Sequence, residues 1–157
     1  MHQLLPNLFF GNESACTLDA SGAVAVVHAC KEPCHRAAVG YSNRSLPNTH
    51  PNYLILEREH HLFLNLIDPP APLFMMPSFV AFLAFVDKNI AERRVVVHCN
   101  QGESRAPSLA LLYLAKRTDE LPGDSYESAA QAFRERSPYN PGRGIQVWLS
   151  QHWEEIQ

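Results

Sequence analysis

Val95-Val96-Val97-His98-Cys99-Asn100-Gln101-Gly102-Glu103-Ser104-Arg105 is the stretch that decides the fold. Three consecutive valines read as a strand buried on both faces, the pattern of a parallel sheet covered by helices. The strand is expected over Arg94 to His98. Arg105 to Arg117 then follows with apolar residues at helical spacing, and Pro107 sits in the first turn, where a missing amide costs nothing. Six residues, Cys99 to Ser104, join strand to helix. In such a unit the loop amides and the positive end of the helix converge on one small volume, which suits an anion.

Working outward, two further runs have the character of buried strands. One is Ala23 to Ala29 (Ala-Val-Ala-Val-Val-His-Ala) and the other is Leu62 to Ile67. Leu8-Phe9-Phe10 before Gly11-Asn12 reads as a short strand and turn. Pro77 to Ala91 places Phe79, Phe82, Leu83, Val86 and Ile90 on one helical face. Asp124-Ser125-Tyr126-Glu127 resembles a capping box opening a helix to about Arg136. Ile145 to Ile156, after Pro141-Gly142, reads as a last helix carrying Trp148 and Trp153. Strands alternating with helices predict one α/β domain over residues 1–157, a central, mostly parallel sheet flanked by helices. Sites in such sheets form beyond the carboxyl ends of the strands. The exits after Ala29, Ile67 and His98 therefore bring Cys30, Asp68 and Cys99 to one edge.

The bulk properties agree with a soluble globular protein and exclude other classes. With 157 residues, 46% of them apolar and 18% charged, the chain can bury a core. A net charge of −3 argues against nucleic acid as a partner. No window approaches the roughly 20 apolar residues that span a bilayer, and Met1 to Pro6 lacks the pattern of a secretory signal. The expectation is a cytoplasmic monomer with no membrane partner and four reduced thiols at Cys16, Cys30, Cys34 and Cys99. Cys30-x3-Cys34-His35 could be half a zinc site, but no second half at ligand spacing is evident, and His60-His61 are badly spaced. No metal and no cofactor is expected.

The loop supports a defined chemistry. Amides of Asn100, Gln101, Gly102, Glu103 and Ser104 can cradle phosphate oxygens, and Arg105 adds a planar fork that matches two of them. The same field favours Cys99 as thiolate, the nucleophilic form. A phosphocysteine would then form, be released by a general acid, and be hydrolysed by a water that the same carboxylate activates. Asp68, 31 positions before Cys99 and on a converging strand exit, is the best acid. Its rival Asp87 falls on the polar side of a predicted helix. Asp68 could also be only a turn residue before Pro69-Pro70.

Cys-x5-Arg preceded by His98 and a valine strand resembles the protein tyrosine phosphatase superfamily, and is most similar to its dual-specificity branch. Leu8 to Asn12 resembles that family's opening strand and turn. Asn65-Leu66-Ile67-Asp68 resembles its general-acid segment, and Ser137 to Pro141 its closing segment. The resemblance implies a metal-independent phosphatase acting on phosphorylated proteins or small phosphoesters, with His98 as a supporting residue beside the cysteine. There are two departures. Ala106 stands where the family usually has a serine or threonine hydroxyl that helps the thiolate leave, so slow turnover, or capture of phosphoproteins by a pseudophosphatase, is the alternative. Gln101 stands where the branch often has alanine, and no water-positioning role is assigned to it. Glu103 adds negative charge to the loop and disfavours phosphoinositides. A sulfurtransferase or arsenate reductase would use a similar cysteine loop, but sulfur transfer needs no acid at Asp68.

The long stretch Cys30 to Asn52 is expected to be a loop beside the site. Lys31, His35, Arg36 and Arg44 are its candidates for substrate contact, with Arg143 a weaker one. Cys30 or Cys34 could pair reversibly with Cys99, although buried thiols are the simpler expectation.

Overall fold

The computed structural model describes residues 1–157. Six strands form one sheet: β1 (His2–Leu5), β2 (Leu8–Gly11), β3 (Val24–His28), β4 (Ile55–Arg58), β5 (His61–Leu64) and β6 (Arg94–His98). Their order is β1-β2-β6-β3-β5-β4. The four central strands run parallel, and the edge strands β1 and β4 pair antiparallel with β2 and β5. The expected parallel sheet is thus present, with an antiparallel strand added at each edge. Sequence reading did not find those edge strands. β1 is half exposed, and the β4–β5 turn is Glu59-His60, with Glu59 at φ 55°, rather than an Asn-Gly or Asp-Gly signal.

The valines of β3 and β6 are almost all buried, as expected of strands covered on both faces. The helices are α1 (Arg36–Val39), α2 (Met76–Asn89), α3 (Arg105–Arg117), α4 (Tyr126–Arg134) and α5 (Arg143–His152). α3 is buried continuously from Ala106 to Ala115, which no purely amphipathic surface helix would be. It lies against β2 and β6 and joins a single apolar cluster of 36 buried residues. Phe79 of α2 stacks on Trp148 of α5, with ring centroids 4.2 Å apart. The aromatic face of α2 is therefore core, as its spacing predicts.

Several boundaries differ from expectation. α4 begins one residue later than Asp124 suggests, because Ser125 is the cap and its hydroxyl accepts from the Ser128 amide. α5 begins at Arg143 and gives way to a 3₁₀ turn at Trp153–Glu155. The stretch after Cys30 is not all loop: a wide helical turn over Lys31–His35 runs into α1. No helix is long and apolar enough to cross a membrane.

Candidate active site

The carboxyl ends of β2, β3, β5 and β6 all face one edge, so four connections meet there. Backbone hydrogen bonds join them: Glu13 N–H donates to Asn100 O (3.0 Å), Cys99 N–H to Gly11 O (3.3 Å), Ala29 N–H to His98 O (2.8 Å) and Lys31 N–H to Leu66 O (2.9 Å). Cys99 lies buried directly after β6. The Gly102 amide donates to Cys99 Sγ at 3.3 Å. Gly102 has φ 75°, and a Cβ there would lie 2.9–3.0 Å from the backbone of Gly11 and Asn12. Glycine is thus required twice, by the left-handed turn and by the close approach of the β2 exit.

Arg105, the first residue of α3, folds back over the loop. Its Nη1 donates to Leu66 O (2.9 Å) and its Nη2 to Asn100 Oδ1 (2.8 Å), while its buried Nε has no partner. A buried guanidinium N–H left unpaired costs about 1–3 kcal/mol, a penalty that an anion in the loop would remove. Asn100 Nδ2 donates to Glu32 O at 2.8 Å, so this side chain bridges Arg105 and the segment after β3.

A cavity of about 500 Å³ opens over the loop, lined by Asp68, Cys99, Asn100, Gln101, Glu103, Ser104, Arg105, Asn140, Pro141 and Gly142. Asp68 is exposed at its rim. The closing segment holds the opposite side: Asn140 N–H donates to Glu103 O (3.0 Å), and Gly142 N–H to the buried Ser104 hydroxyl (2.8 Å). A Cβ on Gly142 would meet the Asp68 carboxylate at 2.6–3.2 Å, and one on Gly144 would meet Pro69 O and Ala71 O at 2.2 and 2.4 Å. Two glycines at the start of α5 let the Asp68 segment lie flat against it. Sequence reading marked Pro141-Gly142 only as a break, so this role of Gly142 and Gly144 was missed. Asp87, the rival acid, is far from this chemistry in its bonding: it pairs with Arg117 Nε at 2.9 Å.

The basic residues after β3 behave differently from one another. His35 is fully buried, with one ring nitrogen against Tyr41 Oη (3.0 Å) and the other against Asn52 O (2.9 Å). It holds its segment together rather than facing a substrate. Arg36 pairs with Glu32 (2.6 Å) and donates to Arg44 O (3.1 Å). Lys31 Nζ donates to Arg44 O (2.8 Å) and lines a second cavity with Tyr53, Leu66, Ile67 and Met75. Arg44 is exposed, and neither it nor Arg143 lines the cavity over Cys99.

The expected four free thiols are corrected. Cys16 and Cys34 are bonded to each other, with their Cα atoms 6.8 Å apart, and Cys30 and Cys99 are free. The cysteine that approaches Cys34 comes from the turn after β2, which has no visible relation to it in sequence. Burial pushes the Cys30 thiol up to about 11, against the opposing pull of the Arg105 charge, so Cys30 is a poor nucleophile beside the loop. His98 is buried, its Nδ1 lies 3.4 Å from Cys99 O, and burial lowers its pKa.

This arrangement of strand, cysteine loop and arginine-led helix is the fold of the tyrosine and dual-specificity phosphatases. No family model matches the sequence, and no curated protein does. Among solved structures, the human tyrosine phosphatase-like serine/threonine/tyrosine-interacting protein aligns with a TM-score of 0.64 and 22% identity, covering 99% of this chain and 95% of that one. DUSP15 aligns with a TM-score of 0.64 and 18% identity over 98% of this chain and 86% of its own. The PTP-2 phosphatase of Cydia pomonella aligns with a TM-score of 0.60 and 18% identity, covering 96% and 88%.

Proposed function

We propose that the chain is a cysteine-dependent phosphomonoester hydrolase of the protein-tyrosine or dual-specificity type. The observation that carries this reading is the unpartnered, buried Nε of Arg105 in the loop where the Gly102 amide meets Cys99 Sγ. The Arg105 Nε–H is a donor that a phosphoryl oxygen would satisfy, and the Gly102 amide shows that the loop directs a donor at the nucleophilic sulfur.

In the first step the Cys99 thiolate attacks phosphorus, the S–P bond forms and the P–O(ester) bond breaks. Asp68 gives its proton to the departing oxygen, which leaves as the alcohol or phenol. Arg105 and the loop amides hold the equatorial oxygens, whose charge they stabilise as the bonds exchange. In the second step Asp68, now a carboxylate, takes a proton from water. The water oxygen bonds to phosphorus, inorganic phosphate departs and the thiolate returns. The Arg105 bond to Leu66 O supports this division of labour, because it ties the phosphate fork to the strand exit that carries Asp68, two residues later.

Phosphotyrosine in proteins and small aryl phosphates are the proposed substrates, with phosphoserine and phosphothreonine as extensions. Glu103, exposed on the cavity wall, acts against polyanionic ligands.

A second reading, capture of phosphoproteins with little turnover, draws on Ala106. This residue is fully buried directly after Arg105 and offers no hydroxyl to the departing thiolate. Pre-steady-state hydrolysis of para-nitrophenyl phosphate separates the two. Many turnovers per chain, abolished by Cys99→Ser and inhibited by vanadate, are expected of the hydrolase. One equivalent of nitrophenol and no steady state would instead establish the trap.

A further inference from the structure

Behind the cysteine loop lie four metal-ligating side chains, of which only His98, next to Cys99 in the chain, also belongs to the phosphatase motif. Cys16 comes from the turn after β2, His28 from the end of β3, Cys34 from the helical turn beyond it, and His98 from the end of β6. One donor atom from each lies within 4.8 Å of all the others, and three of the four residues are fully buried. His28 Nδ1 is 2.7 Å from His98 Nε2, and Cys34 Sγ is 3.8 Å from the same nitrogen. We propose that Cys16, His28, Cys34 and His98, in the reduced chain, form a tetrahedral Cys₂His₂ site for a divalent metal of the zinc class. This site lies beneath the phosphate loop and does not depend on the hydrolase reading, with which it shares only His98.

Three features beyond proximity support it. The first is the donor set. Two thiolates and two imidazoles are a closed structural zinc shell, in which zinc lies about 2.3 Å from sulfur and about 2.0–2.1 Å from nitrogen. Tetrahedral geometry at those lengths separates the ligand atoms by about 3.3–3.8 Å, so the cluster reaches it by side-chain shifts of about an ångström. The second is charge. Two thiolates neutralise a dication, which a pocket this buried requires. The third is the surroundings. Each histidine has its remote nitrogen engaged, His28 Nε2 with His61 Nδ1 (3.0 Å) and His98 Nδ1 with Cys99 O (3.4 Å). Ligating histidines are oriented in this way, by a bond from the nitrogen that faces away from the metal. His61 and Phe63 stack on the His28 ring and fix its plane.

The sequence showed half a site in Cys30-x3-Cys34 and no partner for it. The fold rejects Cys30 and completes the set around Cys34, using the register pair His28–His98 on adjacent parallel strands. The site would clamp the exits of β2, β3 and β6 together directly beneath Cys99.

The balance of the step is simple. A dithiol reductant supplies two electrons and two protons to the Cys16–Cys34 disulfide, giving two thiols and the oxidised reductant. The metal dication then replaces both thiol protons, which are released. In the reverse direction a small-molecule disulfide accepts two electrons from the two thiolates and, with two protons from water, leaves as two thiols; the Cys16–Cys34 bond re-forms and the ion is released, so metal and disulfide exclude each other.

Cobalt(II) tests this in the full chain with Cys99→Ser, which removes the loop thiol as a source of signal. After reduction and removal of the reductant under anaerobic conditions, the protein is titrated with cobalt. The expected result is one cobalt per chain, with a thiolate-to-cobalt charge-transfer band and the intense visible bands of tetrahedral coordination. Adding Cys30→Ser should leave the spectrum intact, whereas Cys16→Ser should remove about half of the charge-transfer intensity. X-ray absorption of the zinc form of the unmutated reduced chain gives a readout that needs no variant, and should show two sulfur and two nitrogen neighbours. Sub-stoichiometric cobalt without tetrahedral bands, or bands that survive when Cys16 and Cys34 are both changed to serine, would overturn the assignment.

Discussion

Gly142→Ala probes the acid while leaving Asp68 itself unchanged in sequence. The added Cβ would lie 2.6 Å from one Asp68 carboxylate oxygen and 3.2 Å from the other. Ordinary contact needs about 3.4 Å or more, so the nearer oxygen must move by roughly 0.8 Å or the side chain must turn away. The carboxylate is the end of a flexible, exposed side chain, so folding should hardly notice; the cost is expected within about 0.5 kcal/mol. Catalysis is less forgiving, because a displacement of about 1 Å can cost about 10²-fold and a general acid contributes about 10²–10⁴-fold. The loss should depend on the leaving group. Phenyl phosphate, whose phenol resembles tyrosine and needs a proton, should lose about 10²-fold in kcat/KM. Para-nitrophenyl phosphate, whose phenolate leaves readily, should lose much less. Measuring both substrates on both proteins, with thermal unfolding as a control, gives the ratio. An equal loss on the two substrates, or none on phenyl phosphate, would refute the placement of Asp68 as acid.

Other perturbations follow from the same geometry. Arg105→Lys keeps the charge but loses the fork that binds Leu66 O and Asn100 Oδ1 and the free Nε, so kcat/KM should fall by about 10²–10³-fold in steady-state assays. Ala106→Ser restores a hydroxyl beside the leaving thiolate and should raise the steady-state rate relative to the burst by about 2–10-fold, the worth of one hydrogen bond. The hydroxyls of Ser108, Tyr139 and Tyr126 form a chain of 2.7 and 2.8 Å bonds, and burial raises the Tyr139 pKa well above 10. The folded state therefore keeps this phenol neutral while the unfolded chain ionises it. Its contribution is intact below pH about 10 and is lost above it, by about 1.4 kcal/mol per pH unit. Urea unfolding between pH 9 and 11 should show a shallower alkaline decline in Tyr139→Phe.

The centre of the molecule could be read because local signals agree there. The β6 valines, the six-residue loop and the apolar α3 each demand the same strand-loop-helix unit, and the boundaries Arg94–His98 and Arg105–Arg117 were visible in the sequence. The sheet-edge rule correctly joined the exits of β3, β5 and β6. What escaped depends on contacts across the fold. Cys16 meets Cys34 because β2 and β3 flank β6, an order that no single sequence displays. His35 looks like a free basic group, yet it is buried in bonds to Tyr41 and Asn52. Gly142 and Gly144 are needed for a segment that arrives from more than seventy residues away.

The central claim is that the reaction runs through phosphorus bonded to Cys99. Rapid acid quenching during turnover of an aryl phosphate, followed by peptide mass spectrometry, tests it directly. A phosphoryl group is expected on the peptide containing Cys99, formed as fast as the first phenol is released and absent from Cys99→Ser, which should be inactive. Hydrolysis that persists in Cys99→Ser would contradict it.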